Sequence, residues 1–267
     1  MLACVPMSLF QAIVLGAVQG LTEFLPVSSS AHLFIVPRLL GWTYAGLAFD
    51  VALHWGTLFA LLLAFRADWW ALVQGVFRGS AEERARVRTT WLQLIVCSVP
   101  AAIAGLLLKD AAETLLRNLA LQAAMLFVFG FLLWWVDRVR PQREGPPGWG
   151  AALLMGVAQA LALVPGVSRS GVTITAGRAA AVDRVEAARF SFLLATPITF
   201  GAGLLELRHL SPDLPVTTLA AGMITAAIVG LLAIRGLLRW LSRGGFLAFF
   251  AYRAALAVLL VIVLLRS

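Results

Sequence analysis

The sequence predicts an all-α polytopic membrane protein, with about six transmembrane helices and two re-entrant helical hairpins in an inverted-topology repeat. Three observations lead there. Apolar residues make up 61% of the 267-residue chain and charged residues only 13%, about half the charged share of a soluble domain. Six stretches are long and apolar enough to cross a bilayer, which takes about 20 residues: roughly 47–65, 92–108, 119–136, 190–207, 216–234 and 246–265. Two further apolar stretches, near 9–25 and 149–164, each run into a cluster of Pro, Ser and Gly.

The net charge of +8 is carried almost wholly by arginine, and its distribution reports orientation rather than a nucleic-acid partner. Arg66, Arg78, Arg84, Arg86 and Arg88 fall in one connection, and Arg138, Arg140 and Arg143 in a second. Arg178, Arg184 and Arg189 fall in a third, and Arg235, Arg239 and Arg243 in a fourth. The connections near 37–46, 109–118 and 208–215 hold only Arg38, Lys109, Arg117 and Arg208, four basic residues against fourteen. Connections rich in Lys and Arg stay in the cytoplasm, so the Arg-rich set is expected inside. Most of Trp42, Trp55, Trp69, Trp70, Trp134, Trp135 and Trp149 fall near span ends, as an interfacial aromatic belt would.

Cys4 and Cys97 are far apart and have no Cys or His neighbour, so neither a disulfide framework nor a zinc motif is visible. The N-terminus lacks the basic region and small-residue cleavage site of a signal peptide. Its first hydrophobic segment is therefore expected to belong to the fold.

Charge parity has a topological consequence. With 66–91 inside, the span 92–108 exits and 119–136 returns, leaving 137–148 inside. Because 178–189 is also inside, residues 149–177 must enter and leave on the cytoplasmic side. Counting back, 47–65 starts outside, and with an external N-terminus residues 7–46 enter and leave from the external face. The two hairpins also match in sequence. Gly16, Gln19, Ser28 and Ser30 recur as Gly156, Gln159, Ser168 and Ser170 at an offset of 140, with Pro26 and Pro165 one residue out of step. Ala102–Leu107 likewise resembles Ala227–Leu232. Matched segments of opposite orientation mark inverted-topology repeats, whose broken helices meet near the bilayer midplane. One membrane domain over 1–267 is expected, with repeat halves at about 7–136 and 149–266. Irregular backbone at that depth must be buried in protein or line a polar cavity, so both breaks should share one site.

The first break reads Gln19-Gly-Leu-Thr-Glu23-Phe-Leu-Pro26-Val-Ser28-Ser29-Ser30-Ala-His32. Gln19 and Glu23 are four apart and share a helix face. Pro26 ends regular helix, and the serine run offers hydroxyl and N–H groups to an anion where a half-helix starts. His32 titrates near neutral pH and can act as base, acid or nucleophile. An ionised carboxylate in an apolar stretch costs roughly 2.5–3.5 kcal/mol, so Glu23 is expected to have a cation or metal partner. The second break reads Pro165-Gly166-Val-Ser168-Arg169-Ser170-Gly171-Val-Thr173. There Leu163 stands at the position of Glu23 and Arg169 at that of Ser29. Arg presents a planar fork of donors suited to phosphate. A structural Glu23–Arg169 ion pair is the bland reading, and it is compatible with a pair that opens when an anion binds. Asp50 and His54 follow one turn apart on the next span and could add a metal ligand or proton relay, with Asp50 equally a helix cap at the outer interface. His54 and His209 read as structural or interfacial.

These segments resemble the undecaprenyl-diphosphate phosphatase family, often called BacA or UppP. The family's long Glu/Gln-Gly-Leu-Thr-Glu-Phe-Leu-Pro signature with its serines and histidine stands at 19–32, and its Pro-Gly-x-Ser-Arg-Ser-Gly-x-Thr signature at 165–173. Phe49–Thr57 is also similar to the family's sequence, while Gln19 takes the amide option and Ala31 replaces the usual Gly. The resemblance implies a hydrolase that converts a C55 polyprenyl diphosphate to its monophosphate, recycling the lipid carrier for cell-wall synthesis. It implies a divalent cation, Mg2+ or Ca2+, and a site opening to the external side of a bacterial cytoplasmic membrane. Carried over by position, Glu23 and Gln19 would hold the metal or act in proton transfer, with Asp50 as a further metal candidate. Arg169 would clamp the phosphates with Ser28, Ser30, Ser168, Ser170 and Thr173. Ser29 would attack with His32 as its base, or His32 would attack directly. Partners are then the lipid diphosphate and membrane lipid, and a homodimer is compatible with the sequence.

Two other functions compete. A lipid transporter or flippase could bind a phosphate head group in the same inverted repeat without cleaving it. The other class of membrane lipid phosphatase needs a Lys-x6-Arg-Pro element, and the only lysine, Lys109, is followed by none.

Overall fold

The computed structural model describes residues 7–43, 47–114, 118–206 and 215–266. Cys4, Arg117, Arg208 and His209 lie outside the described residues. Those described are organised as eleven α-helices and one 3-10 turn, without a β-strand. In chain order they are α1 (Leu9–Phe24), α2 (Ser29–Leu39), α3 (Leu47–Ala64), α4 (Arg66–Phe77), α5 (Ala81–Thr114) and α6 (Leu119–Val139). Then follow α7 (Trp149–Ala160), the 3-10 turn Leu161–Leu163, α8 (Arg169–Ala179), α9 (Arg184–Glu206), α10 (Val216–Leu241) and α11 (Leu247–Arg266).

All six predicted spans are helices. Among the described residues α5, α6, α9, α10 and α11 are each long and apolar enough to cross a membrane, and α3 joins α4 through a 67° bend to make a sixth. The Arg-rich stretch 66–91, read above as a connection, is largely helical. Leu72 on α4 is buried, and Trp69 packs with Trp91 and Leu94 in the same apolar cluster. A capping box starts α5 eleven residues before the apolar run does: the Ser80 N–H donates to Glu83 Oε2 at 2.6 Å, and the Glu83 N–H to Ser80 Oγ at 3.2 Å.

Neither α1 with 16 residues nor α7 with 12 reaches across about 30 Å of hydrocarbon. Each hairpin begins and ends at one level. In the first, Phe10 near the start of α1 meets Trp42 beyond the end of α2 at 6.2 Å. In the second, the chain ahead of α7 pairs with the chain leaving α8: the Arg143 N–H donates to the Ala181 carbonyl and the Asp183 N–H to the Arg143 carbonyl. Helix α10 tells the two levels apart. Leu219 in its first turn packs against the same apolar cluster as Met7 and Trp42, whereas Gly245, just past its end, lies against Asp137 and Arg184 at the second level. The hairpins therefore enter from opposite ends of the helix layer.

Two close approaches hold this layer together. A Cβ on Gly16 of α1 would stand 2.5 Å from the Gly222 carbonyl oxygen of α10, and one on Gly156 of α7 would strike the Cys97 backbone of α5. At the second level Arg178, read above as a connection residue, is fully buried. It and Arg184 each donate to Asp137 Oδ1 at 2.8 Å, so a buried ion-paired cluster stands where the sequence showed a run of basic residues.

Candidate active site

Proline ends both re-entrant helices. The proline ring keeps the preceding residue out of the α region, and Leu25 (ψ 140°) and Val164 (ψ 117°) are both extended. The chain then turns through a serine with positive φ, Ser28 at 76° and Ser168 at 72°. Left-handed backbone costs a residue bearing a Cβ on the order of 1–2 kcal/mol, and such strain concentrates at functional sites. A half-helix starts on the next residue in each case, with Ser29 opening α2 and Arg169 opening α8.

Those two residues meet on one carboxylate. Glu23 Oε1 accepts from Arg169 Nη2 at 2.7 Å. Its other oxygen, Oε2, accepts from Ser29 Oγ at 2.6 Å and from Gln19 Nε2 at 3.2 Å. His54 Nε2 lies 3.8 Å from the same oxygen, so a residue read as structural stands at the edge of the site. Two polar atoms here are buried without a hydrogen-bond partner among the described residues: Arg169 Nη1 and Gln19 Oε1. One is a donor suited to an anion, the other an acceptor suited to a cation.

The hydroxyls of the second break are committed to the frame. Ser168 Oγ accepts the Gly171 N–H at 3.2 Å and pairs with Ser170 Oγ at 3.3 Å. Ser170 Oγ reaches the Leu25 carbonyl at 3.2 Å, tying the two breaks together. Thr173, fully buried, bonds the Arg169 carbonyl and Ser191 of α9 at 2.8 and 2.6 Å. In the first break Ser28 and Ser30 hydroxyls pair at 3.2 Å, and Ser30 is exposed.

Ser29 and His32 are not paired. The Ser29 hydroxyl donates to Glu23, while His32 Nδ1 lies 2.7 Å from the Ser28 carbonyl and Nε2 2.6 Å from the Tyr252 hydroxyl. Beside Tyr252, the buried Arg253 side chain donates to five backbone carbonyls: Pro26, Gly166, Val167, Met125 and Leu126. At Pro26, Gly166 and Val167 it thereby satisfies carbonyls that a broken helix leaves without N–H partners, while Met125 and Leu126 anchor it to α6. Sequence reasoning missed both residues. The signal was there, because an arginine inside an apolar span marks a functional or architectural centre by default.

For a metal, no group of three or more His, Cys, Asp and Glu gathers among the described residues. The oxygens present are the Glu23 carboxylate and the orphaned Gln19 Oε1. That set suits a hard cation held by one or two protein oxygens and completed by phosphate and water, as Mg2+ commonly is. Asp50 stands on α3 one turn before His54, whose Nδ1 donates to the Asp50 carbonyl at 2.7 Å.

Broken helices that bring a carboxylate, a guanidinium and a serine hydroxyl to one point define a polytopic membrane protein with a polar centre between its two helix breaks. Residues 12–259 match the family described as bacitracin resistance protein BacA, and the chain belongs to it. It is 47% identical to an undecaprenyl-diphosphatase of Pelotomaculum thermopropionicum over 257 residues, 95% of this chain and 96% of that one. A protein of the same name from Desulforudis audaxviator is 47% identical over 98% of this chain and its own full length. Another from Moorella thermoacetica is 46% identical over 96% of this chain and 98% of its own.

Proposed function

We propose that this protein is a membrane-embedded phosphatase that hydrolyses undecaprenyl diphosphate to the monophosphate and inorganic phosphate, recycling the lipid carrier for cell-wall synthesis. One observation carries the reading: Arg169 has one nitrogen on Glu23 and the other, buried Nη1 without a protein partner. A phosphate oxygen is the ligand such a fork fits best. The relatives' name supports hydrolysis over a lipid transporter using the same centre.

Phosphoryl transfer depends on positioning and charge neutralisation more than on covalent chemistry. The incoming diphosphate takes Arg169, first through Nη1 and then, as the ion pair opens, through the whole fork. Glu23, released from Arg169, keeps the Ser29 hydroxyl at 2.6 Å and is placed to take its proton as Ser29 Oγ attacks the terminal phosphorus. The bond to the bridging oxygen breaks, the polyprenyl monophosphate leaves, and water cleaves the phosphoserine. His32 is assigned to proton transfer at the same centre, or to direct attack in place of Ser29. Ser168, Ser170 and Thr173 act by holding Arg169 and the turn, with Ser28 and Ser30 nearer the phosphate. A bound Mg2+ or Ca2+, held by Glu23 and Gln19 with Asp50 as a third candidate, would supply further neutralisation of phosphate charge.

The Arg-rich end is read as cytoplasmic, which puts the mouth of the first hairpin on the external face of a bacterial cytoplasmic membrane. The halves 7–136 and 149–266 are read as products of one duplication. In support, residue 97 moved by the 125-residue offset of Ala102 to Ala227 is residue 222, so the Gly16–Gly222 and Gly156–Cys97 approaches correspond.

Phosphate release by the purified protein from farnesyl or undecaprenyl diphosphate, with Mg2+ and with chelator, tests the reading. Retained binding with no release in either condition would leave a carrier rather than an enzyme.

A further inference from the structure

Helix α11 is apolar along its whole length except for Tyr252, Arg253 and the terminal Arg266. The two adjacent polar residues meet the same centre from one side. Arg253 grips the Pro26 carbonyl of the first break and the Gly166 and Val167 carbonyls of the second, while the Tyr252 hydroxyl lies 2.6 Å from His32 Nε2. The two rings run nearly parallel, 5° apart in plane with centroids 5.6 Å apart.

The tautomer of His32 follows from its partners. A carbonyl oxygen only accepts, so the Ser28 carbonyl at 2.7 Å requires that Nδ1 carry the proton. The lone pair of the neutral ring is then on Nε2, the nitrogen that Tyr252 covers. Nε2 is therefore the atom that takes a proton in base catalysis, through the hydroxyl that covers it, and for direct attack on phosphorus that hydroxyl must first move off it. A tyrosine hydroxyl both donates and accepts, and it can serve the neutral ring as donor and the imidazolium as acceptor. An apolar residue would satisfy neither state.

We infer that Tyr252 is the positioning residue of His32: its hydroxyl fixes the plane of the imidazole and relays the proton to Nε2, giving its own as it takes one from the reacting side. Arg253, bonded to both breaks, fixes where that hydroxyl stands. The inference rests on the reading of His32 as a member of the reacting set. The ionisable residues on the helices around α2 are few. Arg38 stands on α2 itself, Glu23 on α1, Asp50 and His54 on α3, Asp137 and Arg138 at the far end of α6, and Tyr252, Arg253 and Arg266 on α11.

A double-mutant cycle tests it on the full-length protein in vesicles, with phosphate release from farnesyl diphosphate as the readout. Tyr252→Phe keeps the ring and removes the hydroxyl. It is expected to lower kcat about tenfold or more, the scale on which partners that orient an active histidine act, with KM changed little. In a His32→Ala background the same substitution should have no further effect, because the group it acts through is gone. Near-normal kcat in Tyr252→Phe, or an equal fold-loss in both backgrounds, overturns the inference. If His32→Ala itself keeps full activity, the reading of His32 falls first and this one with it. Should His32→Ala leave no measurable rate, difluorotyrosine at position 252 decides. The change in hydroxyl acidity at constant shape should alter kcat, and an unchanged kcat overturns the proposal.

Discussion

The two breaks share a backbone and differ in chemistry. Each ends a short apolar helix at a proline, turns through a positive-φ serine and starts an 11-residue half-helix. Each pairs its flanking serine hydroxyls, at 3.2 Å in the first and 3.3 Å in the second. Yet Glu23 corresponds to Leu163, Ser29 to Arg169 and His32 to Val172. The glutamines show the consequence of that difference. Gln19 donates to Glu23, whereas Gln159, buried and facing no matching carboxylate, has both amide atoms without a hydrogen-bond partner among the described residues. The backbone geometry is the same at both breaks while the reactive groups differ. The first break holds the acid, hydroxyl and imidazole, and the second supplies the cation that closes on them.

This division is open to direct attack. The largest effect is expected where the halves touch. Arg169→Ala or Glu23→Ala should cut phosphate release by at least about 10³-fold, the upper range for losing a preorganised charge partner, while the protein still inserts. Near-normal turnover in either would mean that the junction is architectural. Next comes Ser29→Ala, for which a loss of about 10²-fold or more is expected if its hydroxyl attacks. A substantial residual rate would move the nucleophile to His32, within the same break. The shared frame can be probed through stability. Gly16→Ala and Gly156→Ala should each lower thermal stability in detergent by about 1–3 kcal/mol through overpacking, and by similar amounts. A loss at one position only would break the equivalence of the halves. The smallest effect is expected for Thr173→Val, about 1 kcal/mol from the lost bond to Ser191, with a modest fall in kcat. A tenfold rise in KM instead would put Thr173 in contact with the phosphate.

Much of this was legible before any coordinates. The spans follow from composition, since an apolar run of sufficient length has few other stable fates in a bilayer. Both re-entrant hairpins followed from arginine parity and the 140-residue offset. The meeting of Glu23 with Arg169 was written in residue types, because a buried carboxylate and a buried guanidinium in one apolar layer need each other. Other features were hidden. Residues 66–91 looked like a loop because charge outweighed the amphipathic period that buries Leu72. Arg178 looked like an orientation signal because Asp137, 41 residues earlier, is invisible as its partner in the chain.

By itself, then, the sequence determined that the chain lives in a membrane, where its helices break and which chemical groups stand at the breaks. Local rules suffice for these, because hydrophobic runs, proline geometry and side-chain chemistry act over a few residues. The tertiary structure alone decided the partners. It gave the Ser29 proton to Glu23 rather than to His32, and it brought Tyr252 onto His32 across 220 residues of chain. It also set Arg253 on the carbonyls of both breaks. Hydrogen bonds form over about 3 Å, and which donor reaches which acceptor is settled only when the helices pack.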